Sequence, residues 1–174
     1  MPSVSPEPSA FRFCPVDGTA LEEPDKDGGT RCPSCGRSWY RNSSPVVGCV
    51  IVRGGRALAT VRGIEPHKGK LDMPGGFLLN GEDPLDGLKR EIREELGIEI
   101  EVDASDLVQM APHVYAHEDD FNLALGFRAR WVSGEVTPAD DVADVRWVSP
   151  GEIDDLEWAW EHDRELVRKV LSDA

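Results

Sequence analysis

Three glutamates, Glu91, Glu94 and Glu95, stand at i, i+3 and i+4, with Glu82 upstream and Arg90 immediately before them. On a helix that spacing lines the three carboxylates along one face. Like charges so placed repel by roughly a few tenths of a kcal/mol per pair. A helix C-terminus adds to the penalty, because the backbone dipole there disfavours negative charge. Selection for stability alone does not build such a cluster. A hard divalent cation reverses the sign of both penalties, since Mg²⁺ and Mn²⁺ take oxygen ligands. The bland alternative is a solvated acidic face on an acidic protein. A second set of residues offers softer chemistry: Cys14 and Asp17 flank one turn, Cys32 and Cys35 another.

The glutamates need a helix, and the sequence supplies its ends. Asp83 is a suitable N-cap, and Pro84 follows at the first helical position, where its missing N–H costs nothing. Asp86 falls three residues after the cap, in capping-box position. Gly97 is a left-handed terminator. These signals predict a helix over 84–96. Leu85, Leu88, Ile92 and Leu96 then share an arc of about 80°, which must be buried, beside the acidic arc. Gly75-Gly76 permits close approach of the backbone.

Gly76, Glu82, Arg90, Glu91, Ile92, Glu94, Glu95, Gly97 and Ile98 together match the Nudix box, Gly-x5-Glu-x7-Arg-Glu-U-x-Glu-Glu-x-Gly-U with U apolar, without departure. Leu71-Asp72-Met73-Pro74-Gly75 is similar to the usual lead-in. The chain therefore resembles the Nudix hydrolases. The resemblance implies an α/β fold, an α/β/α sandwich around a mixed sheet; periodicity alone gives only α+β or α/β. It implies hydrolysis of a nucleoside diphosphate linked to another moiety, with Mg²⁺ or Mn²⁺ on Glu91, Glu94 and Glu95, Glu82 as a further ligand and a backbone carbonyl at Gly76. Arg90 becomes an organiser of the loop. The general base is not fixed by the motif; Asp141 and Glu118 are the candidates, beside Glu94 on the helix, and each also reads as an ordinary surface-turn residue.

Cys14-Pro15-Val16-Asp17-Gly18 and Cys32-Pro33-Ser34-Cys35-Gly36 resemble the two knuckles of a zinc ribbon on short antiparallel strands. The departure is Asp17, where such ribbons carry a fourth cysteine. A carboxylate can ligate zinc, so a Cys14, Asp17, Cys32, Cys35 site is one reading. A degenerate ribbon without metal is the other. Cys49 lies in the apolar run Val46 to Val52 and reads as a small buried hydrophobe, not as a ligand.

The chain thus divides into a Pro/Ser-rich leader (1–10), expected to be disordered and not a secretory signal, a ribbon-like unit (11–42) and a Nudix domain (43–174). Its 174 residues and 40% hydrophobic content suffice for one packed domain with a small appendage. Net charge of −14 argues against general nucleic-acid affinity. No apolar run is long enough to span a membrane. A cytoplasmic protein is expected, its four cysteines serving as thiols or metal ligands. Strands are expected over 46–52, 57–62, 77–79, 98–102, 107–113, 121–132 and 145–148, and a second amphipathic helix over 160–172 with Leu166, Val167, Val170 and Leu171 inward. Arg53, Arg56 and Arg62 are candidate phosphate clamps; Tyr115, Phe121 and Trp39 are candidate base-stacking residues.

A ribbon ahead of a Nudix domain is similar to NADH pyrophosphatases and to a branch acting on ADP-ribose or FAD. The Ser-Gln-Pro-Trp-Pro-Phe-Pro motif of the former is absent; the region reads Gln109-Met110-Ala111-Pro112-His113-Val114-Tyr115. ADP-ribose, FAD or an NADH-like dinucleotide is the expected substrate. Two alternatives stand: pyrophosphohydrolysis of an oxidised nucleoside triphosphate, and a non-catalytic nucleotide-sensing regulator. Full retention of the box glutamates favours catalysis. Homodimerisation is a family-level expectation.

Overall fold

The computed structural model describes residues 11–117 and 120–173. The expected leader and Glu118 lie outside the described residues. The chain separates into two compact units, divided between Asn42 and Ser43.

In the first unit, β1 (Thr30–Arg31) pairs antiparallel with β2 (Ser38–Trp39), and Phe13 bridges Ala20. Among its described residues the buried ones are Cys14, Gly29, Thr30 and Cys32. That is not a hydrophobic core.

The second unit is built on eight strands: β3 (Ser44–Arg53), β4 (Arg56–Arg62), β5 (Leu71–Asp72), β6 (Gly75–Phe77), β7 (Ile98–Glu101), β8 (Leu107–Val114), β9 (Phe121–Gly134) and β10 (Val142–Val148). The main path runs β10-β4-β3-β9-β7; β5 adds to β4, β6 to β3 and β8 to β9. β3 and β9 are parallel over Ser44↔Asn122 to Ile51↔Ala129, and the other pairings are antiparallel, so the sheet is mixed.

Strand alternation sends β3 side chains to two cores. Val47, Cys49 and Ile51 face α1 (Pro84–Leu96), with Leu58, Ile98 and Phe127 around them. Val50, with Ala57 and Ala59, faces α2 (Glu161–Ser172). The helices therefore cover opposite faces of the sheet, the α/β/α arrangement. No helix among the described residues is long and apolar enough to cross a membrane.

α1 has the expected ends. The Asp83 carboxylate accepts from Leu85 N at 2.9 Å, Pro84 opens the helix, and Gly97 closes it at φ 67°. Leu88, Ile92 and Leu96 are fully buried and Leu85 packs against them. Each such burial is worth about 1.5–3 kcal/mol, which exceeds the repulsion among the neighbouring carboxylates. α2 buries Leu166, Val167, Val170 and Leu171 as its pattern requires.

Several strand ends differ from expectation. The expected strand 77–79 is found as Gly75–Phe77, because Val46 to Gly48 of β3 offer it a ladder only there. β5 forms within the lead-in, where two residues carry no periodicity to read. β10 begins at Val142, three residues before the expected strand 145–148, because β4 supplies pairing from Arg62 onward.

Candidate active site

Each carboxylate of α1 has its own environment. Glu95 is buried at 6% exposure and accepts from Gly75 N at 2.8 Å. Burial pushes its carboxyl well above the ordinary range; the Gly75 bond opposes this, and the fields of Asp141, Asp72 and Glu91 add to it. Glu91 is raised too, again first by burial, with the adjacent Arg90 working the other way. Glu94 is half-exposed.

Arg90 ties the set together. Its Nε and Nη2 donate to the two oxygens of Glu82 at 2.8 and 2.9 Å. Nη1 donates to Glu91 at 2.7 Å and to Glu94 at 3.0 Å, and Nη2 also to the Phe77 carbonyl at 3.2 Å. Its donors are committed to the chain, so Arg90 positions carboxylates and does not bind a ligand. The Arg90 fork and the Leu79 N–H hold Glu82 at a pKa of about 2, well below the usual carboxylate range.

The backbone at Gly75-Gly76 closes in on this cluster. A Cβ on Gly76 would stand 2.7 Å from the Glu91 carboxylate, and one on Gly75, at φ 143°, would stand 2.0 Å from the Val47 carbonyl oxygen. At Gly75, where the contact is with backbone and φ is positive, only glycine allows this approach. Buried, partly uncompensated carboxylates beside a bare backbone fit a divalent cation: an ion there neutralises the charge that burial disfavours, and carboxylate and carbonyl oxygens are its ligands.

Beside the helix, a partly open cleft of about 120 Å³ lies between the sheet and the start of α2. Gly75, Gly76 and Asp141 line it at the carboxylate end. The Asp141 carbonyl accepts from Gly63 N at 2.6 Å, which fixes the loop carrying it. Deeper in, Arg62 donates to Asp72 at 2.6 Å, to the Pro66 carbonyl at 2.7 Å and to the Tyr115 hydroxyl at 3.3 Å. Asp163 lies close to Asp72, and burial raises both carboxyls. Tyr115 stacks on Trp160 with ring centroids 5.4 Å apart.

The sequence-predicted residues therefore fall into groups. Glu82, Glu91 and Glu94 come together around Arg90, Gly76 packs against Glu91, Glu95 is held by Gly75 N, and Asp141 is near enough for its charge to act on Glu95. Glu118 lies outside the described residues. Of the candidate clamps, Arg62 lines the cleft but is spent on Asp72, while Arg53 lies over Trp131. Of the candidate stacking residues, Tyr115 is in the cleft. Asp72, Asn122, Trp160, His162 and Asp163 also line it; sequence reading did not find them. The Trp160-x-His162-Asp163 cluster at the start of α2 was the available signal.

In the first unit, ligand atoms of Cys14, Asp17, Cys32 and Cys35 lie within 4.8 Å of one another. Cys14 Sγ is 3.7 Å from Cys35 Sγ, and Cys32 Sγ is 3.7 Å from both Asp17 oxygens. A tetrahedral zinc with Zn–S bonds of about 2.3 Å requires S···S of about 3.8 Å, so the spacing fits that ion. The backbone N–H of Thr19 lowers the Asp17 carboxyl to about 2, and the N–H of Cys35 lowers the Cys32 thiol; both shifts favour the ligating forms.

This fold and box define the class: the NUDIX domain model matches residues 43–170, and the chain belongs to the NUDIX hydrolase family. Among curated relatives, the NAD-capped RNA hydrolase NudC of Pseudomonas aeruginosa is 32% identical over 139 residues, 79% of this chain and 48% of that protein. A MutT-like protein of Streptomyces ambofaciens is 33% identical over 64% of this chain and 67% of its own. The chain spans about half the length of the NAD-capped RNA hydrolases it matches. Among solved structures, a NUDIX hydrolase from Nitrosomonas europaea aligns with TM-score 0.73 at 23% identity, covering 94% of this chain and 92% of that one. A MutT NUDIX hydrolase from Burkholderia pseudomallei aligns with TM-score 0.65 at 28% identity, covering 75% and 99%.

Proposed function

We propose that the protein hydrolyses the pyrophosphate bond of a nucleoside diphosphate linked to another moiety, of the ADP-ribose, FAD or NADH-like class, with Mg²⁺ or Mn²⁺. The observation that carries this reading is the Glu82, Glu91 and Glu94 set gathered by Arg90, with Glu95 held by Gly75 N, beside a bare glycine backbone that lines a cleft. The similarity to hydrolases named for NAD-capped RNA supports a dinucleotide-like substrate, since that cap contains the same type of bond.

In this mechanism Glu91 and Glu95 are the principal ligands, Glu94 a third and Glu82 a further one, with the Gly76 carbonyl completing the set. Bound there, the divalent ion neutralises the diphosphate and polarises a phosphoryl oxygen. Arg90 keeps the carboxylates aimed while the substrate is absent. Asp141 accepts the proton of the attacking water as the P–O bond to the leaving phosphate breaks, giving two phosphomonoesters. In the N-terminal unit, Cys14, Asp17, Cys32 and Cys35 would hold a structural zinc.

The test is a screen of the purified full chain, with Mg²⁺ or Mn²⁺, against ADP-ribose, FAD, NADH, nucleoside diphosphate sugars and nucleoside triphosphates. Two monophosphates as products support the reading. Release of inorganic pyrophosphate from a triphosphate replaces it, and ligand-induced thermal stabilisation without turnover points to a sensor.

A further inference from the structure

Asp163 is an acid in the wrong kind of place. It stands in the first turn of α2, where carboxylates ordinarily reach water or the helix's free backbone N–H groups. Here it is 6% exposed, and its Oδ2 is sealed from solvent with no hydrogen-bond partner among the described residues. Its Oδ1 lies 3.4 Å from His162 Nε2. Burial, and then the neighbouring His113, lower the His162 pKa to about 4, so that imidazole supplies no charge near neutral pH.

The nearest charged group is a second acid, Asp72 of β5. Asp72 is well served. Its Oδ2 accepts from Arg62 Nη1 at 2.6 Å and its Oδ1 from Met73 N at 2.8 Å. Arg62 directs its other bonds to the Pro66 carbonyl and the Tyr115 hydroxyl. Asp72 therefore forms the ion pair, and a charge on Asp163 would be a buried anion set against another. A proton removes that charge and turns an acceptor without a donor into a donor. Each Asp72 oxygen keeps a lone pair to receive it. Burial first, and then the Asp72 charge, raise the Asp163 carboxyl well above its ordinary value, with Arg62 opposing.

Such a bond would join two parts of the site. Gly75, three residues beyond Asp72, holds Glu95 through its N–H at 2.8 Å. The approach to α2 already grips the other residue of β5: Leu71 N donates to the Glu157 carbonyl at 2.9 Å, and Ala159 N donates to the Leu71 carbonyl at 2.7 Å. A link from Asp163 to Asp72 carries that grip one residue nearer the glycines.

We propose that Asp163 is a positioning residue that acts as a neutral acid, donating its O–H to Asp72 and so fastening α2 to the strand that leads into Gly75 and Glu95. Its effect on turnover rests on the hydrolase reading; its proton does not. The charged and titratable groups around it are Asp72 from β5, Arg62 from β4, His162 on α2 and, behind His162, His113 from β8.

The test uses the full chain with ¹³C-labelled aspartate, followed by NMR at the carboxyl carbon. The resonance that Asp163→Asn removes should be that of a protonated acid at about pH 7, where an aspartate of ordinary pKa is ionised. Two variants then separate the donor from the bulk of the side chain. Asp163→Leu has no donor; Asp163→Asn offers an amide N–H in place of the O–H. Asp163→Leu should shift the Gly75 amide resonance and lower kcat by about 10-fold. Asp163→Asn should return the Gly75 resonance to its wild-type position and kcat to within about 3-fold of wild type. If Asp163→Leu fails to fold by circular dichroism, the wild-type carboxyl resonance and the Gly75 resonance of Asp163→Asn decide. The assignment is overturned if Asp163 is a carboxylate at about pH 7, if Asp163→Asn moves Gly75 as far as Asp163→Leu does, or if Asp163→Leu moves nothing. A protonated Asp163 with the Gly75 pattern intact, in a protein that hydrolyses none of the nucleotides, would sink the hydrolase reading alone.

Discussion

The protein carries two clusters of residues that could hold a metal ion, and they stand on very different foundations. The glutamates of α1 sit on a helix whose Leu88, Ile92 and Leu96 are fully buried in the sheet's core. Their orientation is already set by Arg90 and Gly75 N. The thiols of the N-terminal unit are themselves much of what that unit buries. The first cluster is held by the fold. The second has to hold the fold. Removing an ion from each should therefore have opposite consequences: lost chemistry with an intact domain in one case, lost structure in the other.

The largest expected effect is on the N-terminal unit. Structural zinc contributes on the order of 10 kcal/mol to such small units. Chelation, or Cys32→Ser, should abolish amide-exchange protection through residues 11–42 and leave the protection of 43–174 in place. Retained protection would place the first unit on the same footing as the second and remove the contrast.

Next comes Glu94→Gln, expected to lower kcat by about 10²- to 10⁴-fold with the melting temperature nearly unchanged. Glu94 is half-exposed and bonded by Arg90 alone, so its loss leaves no buried orphan. A comparable fall in melting temperature would mean that this cluster is structural too.

Gly75→Ala should be smaller and of another kind. Its Cβ would meet the Val47 carbonyl oxygen at 2.0 Å, and the contact is with backbone. A loss of about 2–3 kcal/mol in denaturant unfolding is expected, together with weakened metal binding through Glu95.

The smallest effect concerns pH. Burial lowers His162 to about 4, from an ordinary value near 6.5. Between those values the unfolded chain binds a proton that the native chain does not, so stability falls as pH drops from 6.5 towards 4. His162→Gln should flatten that part of the melting-temperature profile of the 43–174 unit. An unchanged slope would show that His162 takes up its proton in the folded state.

The two sites were also unequally legible in the sequence. α1 and its glutamates could be read because every signal is local: Asp83, Pro84 and Gly97 mark the ends, and the acidic and apolar arcs repeat at helical spacing. The ribbon knuckles are local in the same way. The inner cleft was not legible. Arg62 comes from β4, Asp72 from β5, His113 from β8, Asn122 from β9 and Trp160 from the approach to α2. Arg62 reads in its own segment only as a phosphate clamp and the other four give no signal of a shared site; only the strand order β4-β3-β9-β8, with α2 laid over it, gathers them. Strand ends were misplaced for a related reason: β6 and β10 stop where a partner strand stops, which no single segment encodes.

The most direct measurement is Mn²⁺ binding by electron paramagnetic resonance to wild-type protein and to Glu91→Gln/Glu95→Gln, with circular dichroism on the same samples. The double variant should lose Mn²⁺ affinity by about 100-fold or more while keeping its secondary structure. Equal Mn²⁺ affinity in the two proteins would contradict the account, because the carboxylates of α1 would then be gripping nothing.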